Sequence, residues 1–213
     1  MYQILASVMI LMGQWANAAV PVVDSVTQEI PGARAKYGVS NFKMVMPGVL
    51  YRGGNTGGVN QVPMQSQSVQ ALCNDGFVSA VYAYGANWPG GVQTSQCTGG
   101  SLNYIMKRWD HPTEVSDVMR ELYEVIQRGQ GAMYVHCWYG VHASGLIVTA
   151  ALQQFCGLSA DEAVDYWDSN VAPTIRYPKV QAMIRAFRAD PALQIPANVQ
   201  ARICPRVLMS GKN

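Results

Sequence analysis

The stretch MYVHCWYGVHASGLIVTAAL, residues 133–152, limits the possible fold more than any other part of the chain. A short apolar segment, AMYVH, is typical of a central strand and ends in a His-Cys pair. An apolar helical run then begins near Ser144 and stops at Gly157, and Gly140 allows a tight turn between strand and helix. The backbone N–H groups of such a turn surround one point at the positive end of a helix dipole. This pattern predicts an anion-binding loop that carries Cys137, in a field that favours a thiolate.

The rest of the chain alternates predicted strands and helices. Strands are expected in GVLYRGG, FVSAVYAY and LNYIMKRW, and helices near residues 63–74, 113–128, 159 onward and 178–188. Residues 19–47 show no clear periodicity, and GANWPGGVQTSQCTGGS is expected to be a long loop. The alternation predicts a single-domain α/β sandwich with a central mixed or parallel sheet flanked by helices.

Composition and charge exclude two classes of partner. Lys and Arg number 15 against 13 Asp and Glu, and the basic residues form no stripe along the sequence. Nucleic acids and anionic membrane surfaces both require such a concentration of positive charge. We therefore expect neither as a partner.

The N-terminal residues have the pattern of a secretory signal. An apolar run from Ile4 to Met12 is followed by Ala16-Asn17-Ala18, an A-x-A cleavage pattern. The run is too short for a permanent membrane anchor, which needs about 20 residues. We expect a periplasmic or secreted protein cleaved after Ala18; the alternative is a buried N-terminal helix. The expected organisation is a signal peptide (1–18), an N-terminal extension (19–44), a folded domain (45–190) and a C-terminal tail (191–213).

Five cysteines cannot all pair, so an exported chain keeps at least one free thiol or an intermolecular bond. We expect Cys73 to pair with Cys97 and Cys156 to pair with Cys204, since this leaves Cys137 free. Sequence does not separate this pairing from the other two, and Cys156 also fits a small buried apolar residue.

The segment HCWYGVHASG resembles the signature of the cysteine-dependent phosphatases, specifically the dual-specificity branch of the protein tyrosine phosphatase superfamily. That signature is His-Cys, five residues, Arg, Ser or Thr, and often Gly. The segment matches at His136, Cys137, Gly140, Ser144 and Gly145 and departs at Ala143. VLYRGG and the WDHP loop also stand in the family's order, and the resemblance covers residues 45–190. It implies the family's three-layer α/β sandwich.

The resemblance also implies site residues. Cys137 would be the nucleophile, Ser144 would assist breakdown of the thiophosphate, Asp110 would be the general acid and His136 would orient the loop. The alternative for Asp110 is an ordinary turn residue before Pro112. The anion-binding loop would comprise Trp138, Tyr139, Gly140, Val141, His142 and Ala143. No cofactor is implied, and neither cysteine nor histidine spacing supports a metal site.

The alanine at position 143 predicts impaired catalysis. An arginine there would clamp two phosphate oxygens, and in phosphoryl transfer such an arginine is worth on the order of 10³ to 10⁵ in rate. The candidate substitute cations are His142, Arg52, Arg108 and Arg176. For His142 the alternative is a solvent-facing loop residue.

Three functions remain open. The first is an exported phosphatase-like protein with little catalysis that binds a phosphorylated or anionic small molecule or protein. The second is an active phosphoric-ester hydrolase with a substitute phosphate clamp. The third is an envelope thiol-redox protein that uses Cys137, which the absence of a C-x-x-C motif disfavours.

Overall fold

The computed structural model describes residues 28–56, 62–171 and 177–205. Within these ranges six strands form one sheet in the order β1-β2-β6-β3-β5-β4. The strands are β1 (Lys43–Met46), β2 (Leu50–Gly53), β3 (Phe77–Tyr82), β4 (Gln93–Cys97), β5 (Gly100–Met106) and β6 (Ala132–His136). β2, β6, β3 and β5 run parallel, whereas β1 and β4 pair antiparallel at the two edges. The predicted mixed sheet is confirmed.

Helices cover both faces of the sheet. They are α1 (Ala33–Tyr37), α2 (Ser66–Asn74), α3 (Pro112–Arg128), α4 (Ala143–Cys156), α5 (Ala160–Asp168), α6 (Pro178–Ala186) and α7 (Ala197–Ile203), with a 3₁₀ turn at Pro191–Leu193. One apolar core lies between the sheet and α3 to α7. A second core lies on the opposite face, against α1 and α2. The predicted three-layer α/β sandwich is therefore confirmed.

The two elements that flank Cys137 are almost entirely buried. All five residues of β6 are buried, as the short apolar segment predicted. α4 is apolar around its whole circumference and lies inside the core, whereas α3 buries a single apolar face. The loop between β6 and α4 is consequently held at both ends by buried structure.

Parallel pairing brings the carboxyl ends of four strands to one edge of the sheet. Backbone hydrogen bonds continue past the strand ends there, from Ala83 N–H to His136 O (2.9 Å), from Lys107 N–H to Tyr82 O (3.0 Å) and from Cys137 N–H to Gly53 O (3.3 Å). The loops after β2, β3, β5 and β6 therefore meet around Cys137, at the edge where α/β folds commonly place their sites.

One expectation from the sequence is wrong. The segment expected to be a long loop contains β4, which pairs with β5. The strand reads QTSQC, and its side chains are mostly exposed. An edge strand without an apolar face lacks the alternation that identifies strands from sequence.

The packed unit includes residues on both sides of the expected domain, 45–190. Tyr37 and Phe42 are buried in the core beside α2, and β1 begins at Lys43. On the C-terminal side α7 buries Ile203. The expected signal peptide, residues 1–18, lies outside the described residues.

The two disulfides follow the expected pairing. Cys73 is bonded to Cys97 and Cys156 to Cys204, and Cys137 is a free, buried thiol. The first disulfide ties α2 to the exposed β4, and the second ties the end of α4 to the end of α7. None of the helices among the described residues has the length and hydropathy of a membrane span.

Removing the second disulfide should destabilise the fold more than removing the first. The Cys156–Cys204 bond closes a separation of 48 residues and the Cys73–Cys97 bond one of 24. Loop-closure entropy alone makes the longer loop worth about 0.6 kcal/mol more, within a total of about 2–5 kcal/mol per bond. Urea unfolding of the Cys156→Ala/Cys204→Ala and Cys73→Ala/Cys97→Ala proteins measures both losses. A larger decrease in the free energy of unfolding on removal of the Cys73–Cys97 disulfide would contradict this expectation.

Candidate functional site

Cys137 lies immediately after β6, at the start of a loop that we call the thiol loop (residues 137–143). Its side chain is 3 % exposed. The sulfur lies 3.3 Å from the hydroxyl oxygen of Ser144 in the first turn of α4, and either atom can donate the hydrogen bond. The structure therefore brings together the thiol and the hydroxyl that the sequence motif singled out.

The thiol loop touches the end of β2 through backbone alone. Gly140 has a φ of +73°, and a Cβ built there would lie 2.3 Å from the carbonyl carbon of Gly53. A Cβ on Gly54 would lie 2.7 Å from the carbonyl oxygen of Trp138. Real Cβ atoms do not approach so closely, so these positions require glycine.

Hydrogen bonds from outside the loop orient its peptide groups. The Asn55 N–H donates to Trp138 O at 2.8 Å, and the Asn41 side-chain amide donates to Tyr139 O and Gly140 O, both at 3.1 Å. In a trans peptide the carbonyl and the following N–H point in opposite directions. The N–H groups of residues 139, 140 and 141 are therefore directed away from Asn41 and Asn55, as an anion-binding loop requires.

His136 is fully buried behind the loop and is held as a neutral imidazole. Met64 N–H donates to the Tyr104 hydroxyl, which lies 2.7 Å from His136 Nε2. The other ring nitrogen, Nδ1, lies 3.4 Å from Cys137 O. Because a carbonyl oxygen can only accept, the ring proton sits on Nδ1, and Nε2 of the neutral ring accepts from the Tyr104 hydroxyl. Burial lowers the pKa of His136 to about 3. His136 thus contacts the loop from behind, at the carbonyl of Cys137.

The position of the missing arginine is enclosed. Ala143 is the first residue of α4 and has no exposed surface. A methyl group can neither donate hydrogen bonds nor carry charge. Any positive charge at this loop must come from the helix N-terminus or from other elements.

Two of the candidate cations are poorly suited to replace the arginine that is absent at position 143. Arg108 is committed to its own loop, where it contacts Glu114 and His111. His142 is half-buried, with its ring 4.3 Å from that of Tyr177, so it is not the solvent-facing residue that the sequence favoured. Burial lowers the pKa of His142, which leaves the imidazole neutral near pH 7. Arg176 lies outside the described residues.

Arg52 is the candidate that the structure places deepest. It is fully buried on β2, and one guanidinium nitrogen, Nη1, would lie 3.1 Å from a Cβ built on Gly145. Gly145 is the third residue of α4 and directly follows Ser144. The guanidinium therefore lies against the first turn of the helix that closes the thiol loop.

Aromatic side chains and Asp110 lie near the same edge of the sheet. Asp110 is exposed in the turn before α3. Burial raises the pKa of Tyr84 to about 12, and the neighbouring Cys137, Tyr177 and Asp110 add smaller contributions in the same direction. Trp138 and Tyr139 stack at 4.1 Å, with Tyr139 53 % exposed. The rings of the loop thus pack on each other and present Tyr139 to solvent.

The three histidines do not converge. His111 contacts Arg108, His136 contacts Tyr104, and His142 packs on Tyr177. In the described part of the chain, no group of three or more His, Cys, Asp or Glu side chains is arranged to hold a metal ion.

Two residues that organise the site could not be identified from the sequence. Asn41 holds two loop carbonyls from almost one hundred residues away in sequence, and Tyr104 fixes the tautomer of His136. Both are contacts between distant segments. An asparagine in a turn and a tyrosine in a strand are ordinary choices, so only the structure reveals their partners.

The buried His136 should make the fold sensitive to acid. Between about pH 6.5 and pH 3 the unfolded chain binds a proton at His136 that the folded chain does not. The free energy of unfolding therefore decreases as the pH is lowered, by up to about 1.4 kcal/mol per pH unit. In His136→Gln this contribution is absent. Urea unfolding of both proteins at pH 7, 6, 5 and 4 should show that the free energy of unfolding decreases less steeply with falling pH in the variant than in the native protein. Equal slopes would contradict a buried neutral imidazole.

No protein-family model and no curated protein matches this chain. Solved structures to which it is similar include PTPMT1 (TM-score 0.48, 13% identity, covering 68% of this chain and 92% of that one) and DUSP15 (0.47, 15%, 81% and 97%). A third is a leucine rich repeat and phosphatase domain containing protein from Entamoeba histolytica (0.45, 11%, 84% and 98%).

Proposed function

We propose that this chain is an exported phosphatase-like protein that binds a phosphorylated or anionic ligand at the thiol loop and has little phosphatase activity. The observation that carries the proposal is the fully buried Ala143, at the first position of α4 beside an otherwise complete loop. The ligand would be a phosphorylated small molecule or a phosphorylated segment of a protein.

The loop geometry supports anion binding. The N–H groups of residues 139–141 are directed away from the side chains that hold the loop, and α4 presents the positive end of a 14-residue helix. Phosphate bound at such a place gains charge-assisted hydrogen bonds from backbone donors. This part of the site needs no side chain at position 143.

The same geometry argues against efficient turnover. In the reaction, Cys137 sulfur would displace the leaving oxygen from phosphorus, Asp110 would protonate that oxygen, and water would then release the phosphate from sulfur. Negative charge spreads over the equatorial phosphate oxygens during each displacement, and a bidentate guanidinium stabilises that charge best. Ala143 offers no such group, and Arg108 is occupied by Glu114 and His111.

Export is supported by the two disulfides. Disulfides persist in oxidising compartments and are rare in a reducing cytosol. The pairing of four cysteines, together with the signal pattern in residues 1–18, agrees with a periplasmic or secreted location.

A thiol-redox function is less well supported. Redox-active cysteines are accessible and commonly stand next to a second thiol. Cys137 is buried, and the other four cysteines are already paired. Its nearest polar neighbour is the Ser144 hydroxyl, which cannot resolve a mixed disulfide.

Restoring the arginine should restore catalysis. We expect the native protein to hydrolyse an aryl phosphate at close to the background rate, and Ala143→Arg to raise the rate by about 10³ or more, because the clamp on the equatorial oxygens returns. p-Nitrophenyl phosphate turnover measures both rates. Ala143→Met adds bulk without charge and should stay inactive, and adding Cys137→Ser to Ala143→Arg should remove the gain.

Native turnover that Cys137→Ser abolishes would contradict the proposal. The protein would then be an active hydrolase, and its phosphate clamp would have to be sought among the other cations of the fold.

A further inference from the structure

Arg52 carries a buried positive charge that is hydrogen-bonded to no anion in the part of the chain that the structure describes. The residue has no exposed surface, and all three of its guanidinium nitrogens are buried without a hydrogen-bond partner among the described residues. Buried charges in proteins are ordinarily paired and hydrogen-bonded, because removing them from water is costly. The unpartnered guanidinium therefore leaves a positive charge that an anion bound nearby would balance.

The groups around Arg52 do not neutralise it. The Tyr166 ring, 5.7 Å from the guanidinium carbon, offers a cation–π contact, and the Tyr166 hydroxyl is itself buried without a partner. Lys43 is opposite Arg52 in the β1–β2 register, and its pKa falls to about 8 because of burial and then the charge of Arg52. Lys43 donates to Asn170, a neutral amide, at 3.0 Å. Glu29 raises the pKa of Lys43 only slightly. The Glu29 carboxylate accepts a hydrogen bond from the backbone N–H of Asn41.

The guanidinium lies against the first turn of α4, the helix whose first residue is Ala143. Nη1 approaches Gly145, and the neighbouring Ser144 hydroxyl lies 3.3 Å from Cys137 sulfur. A side chain at 145 would meet both Nη1 and the Trp167 ring, so glycine leaves the space that Arg52 uses. Gly53, the residue after Arg52, accepts the hydrogen bond from Cys137 N–H. Arg52 thus adjoins both the first turn of α4 and the start of the thiol loop.

We propose that Arg52 supplies the positive charge of the anion site in place of the arginine absent at position 143, acting on the ligand from beneath the first turn of α4. The ligand class is a phosphate or phosphate monoester held by the loop N–H groups. The inference rests on the proposed function, since it assigns the cation of the same site. A charge that acts through the first helical turn does not need a forked geometry, so lysine at position 52 is an adequate replacement.

The test is isothermal titration calorimetry of inorganic phosphate into the oxidised full chain and its variants. Arg52→Gln should weaken phosphate binding at least tenfold, and Arg52→Lys should stay within about threefold of the native protein. Arg120→Gln is the matched control, because it removes an exposed arginine of α3 that pairs with Asp117. It should leave the affinity unchanged. Adding Ala143→Arg to Arg52→Gln should recover binding, because it returns a positive charge to the loop.

The outcomes separate the two proposals. If the native protein binds phosphate and folded Arg52→Gln binds it equally well, Arg52 has only a structural role and the anion-binding function stands. If the native protein binds no phosphate, the proposed function fails and the role of Arg52 fails with it. Thermal unfolding shows which variants are folded. If Arg52→Gln does not fold, folded Arg52→Lys decides the question, and loss of phosphate binding in it overturns the inference.

Discussion

The site depends on one backbone contact, the approach of Gly140 to Gly53 and Gly54. Because none of the three carries a side chain, the thiol loop lies directly on the end of β2. The loop carbonyls are then within reach of Asn41 and Asn55, whose hydrogen bonds set the direction of the peptide N–H groups. The same contact places Arg52, one residue before Gly53, beneath the helix that continues the loop. Loop orientation and buried charge are therefore consequences of one close approach.

Neutral histidines leave the electrostatics of the loop to the backbone and to Arg52. His136 is locked as the Nδ1–H tautomer by Tyr104, and burial keeps both His136 and His142 uncharged near pH 7. A protonated His136 would add a positive charge behind Cys137, but without solvent or an acid to stabilise it. The Tyr104 hydrogen bond instead gives the loop a fixed support that does not titrate between neutral and mildly acidic pH. We infer that the positive charge near the loop comes from the N-terminus of α4 and from Arg52.

The parts of the fold that the sequence predicted are those in which burial follows a simple period. The apolar β6, the wholly apolar α4 and the one-faced α3 are all found where the pattern indicated. β4 was missed because its side chains are polar on both faces and its stability comes from pairing with β5 and from the Cys73–Cys97 bond. In the site, the motif identified Cys137 and Ser144, which the structure brings together. It could not identify Asn41 or Tyr104, because their roles exist only after distant segments meet.

We propose that the positive charge of the site lies on Arg52 of strand β2 instead of on an arginine at position 143 of the thiol loop. This difference in position separates ligand binding from catalysis. An arginine on the loop can move with the phosphoryl group during transfer. Its forked guanidinium donates hydrogen bonds to the oxygens on which negative charge develops. A guanidinium enclosed by β2, α4 and α5 lacks that freedom, since its nitrogens are buried and its side chain is fixed by Tyr166 and Gly145. Its field stabilises an anion in the ground state about as well as in the transition state. Uniform stabilisation of this kind strengthens binding without lowering the barrier from the bound state. We therefore propose that a chain with the thiol loop and Arg52 but with alanine at position 143 retains a phosphorylated ligand better than it cleaves one.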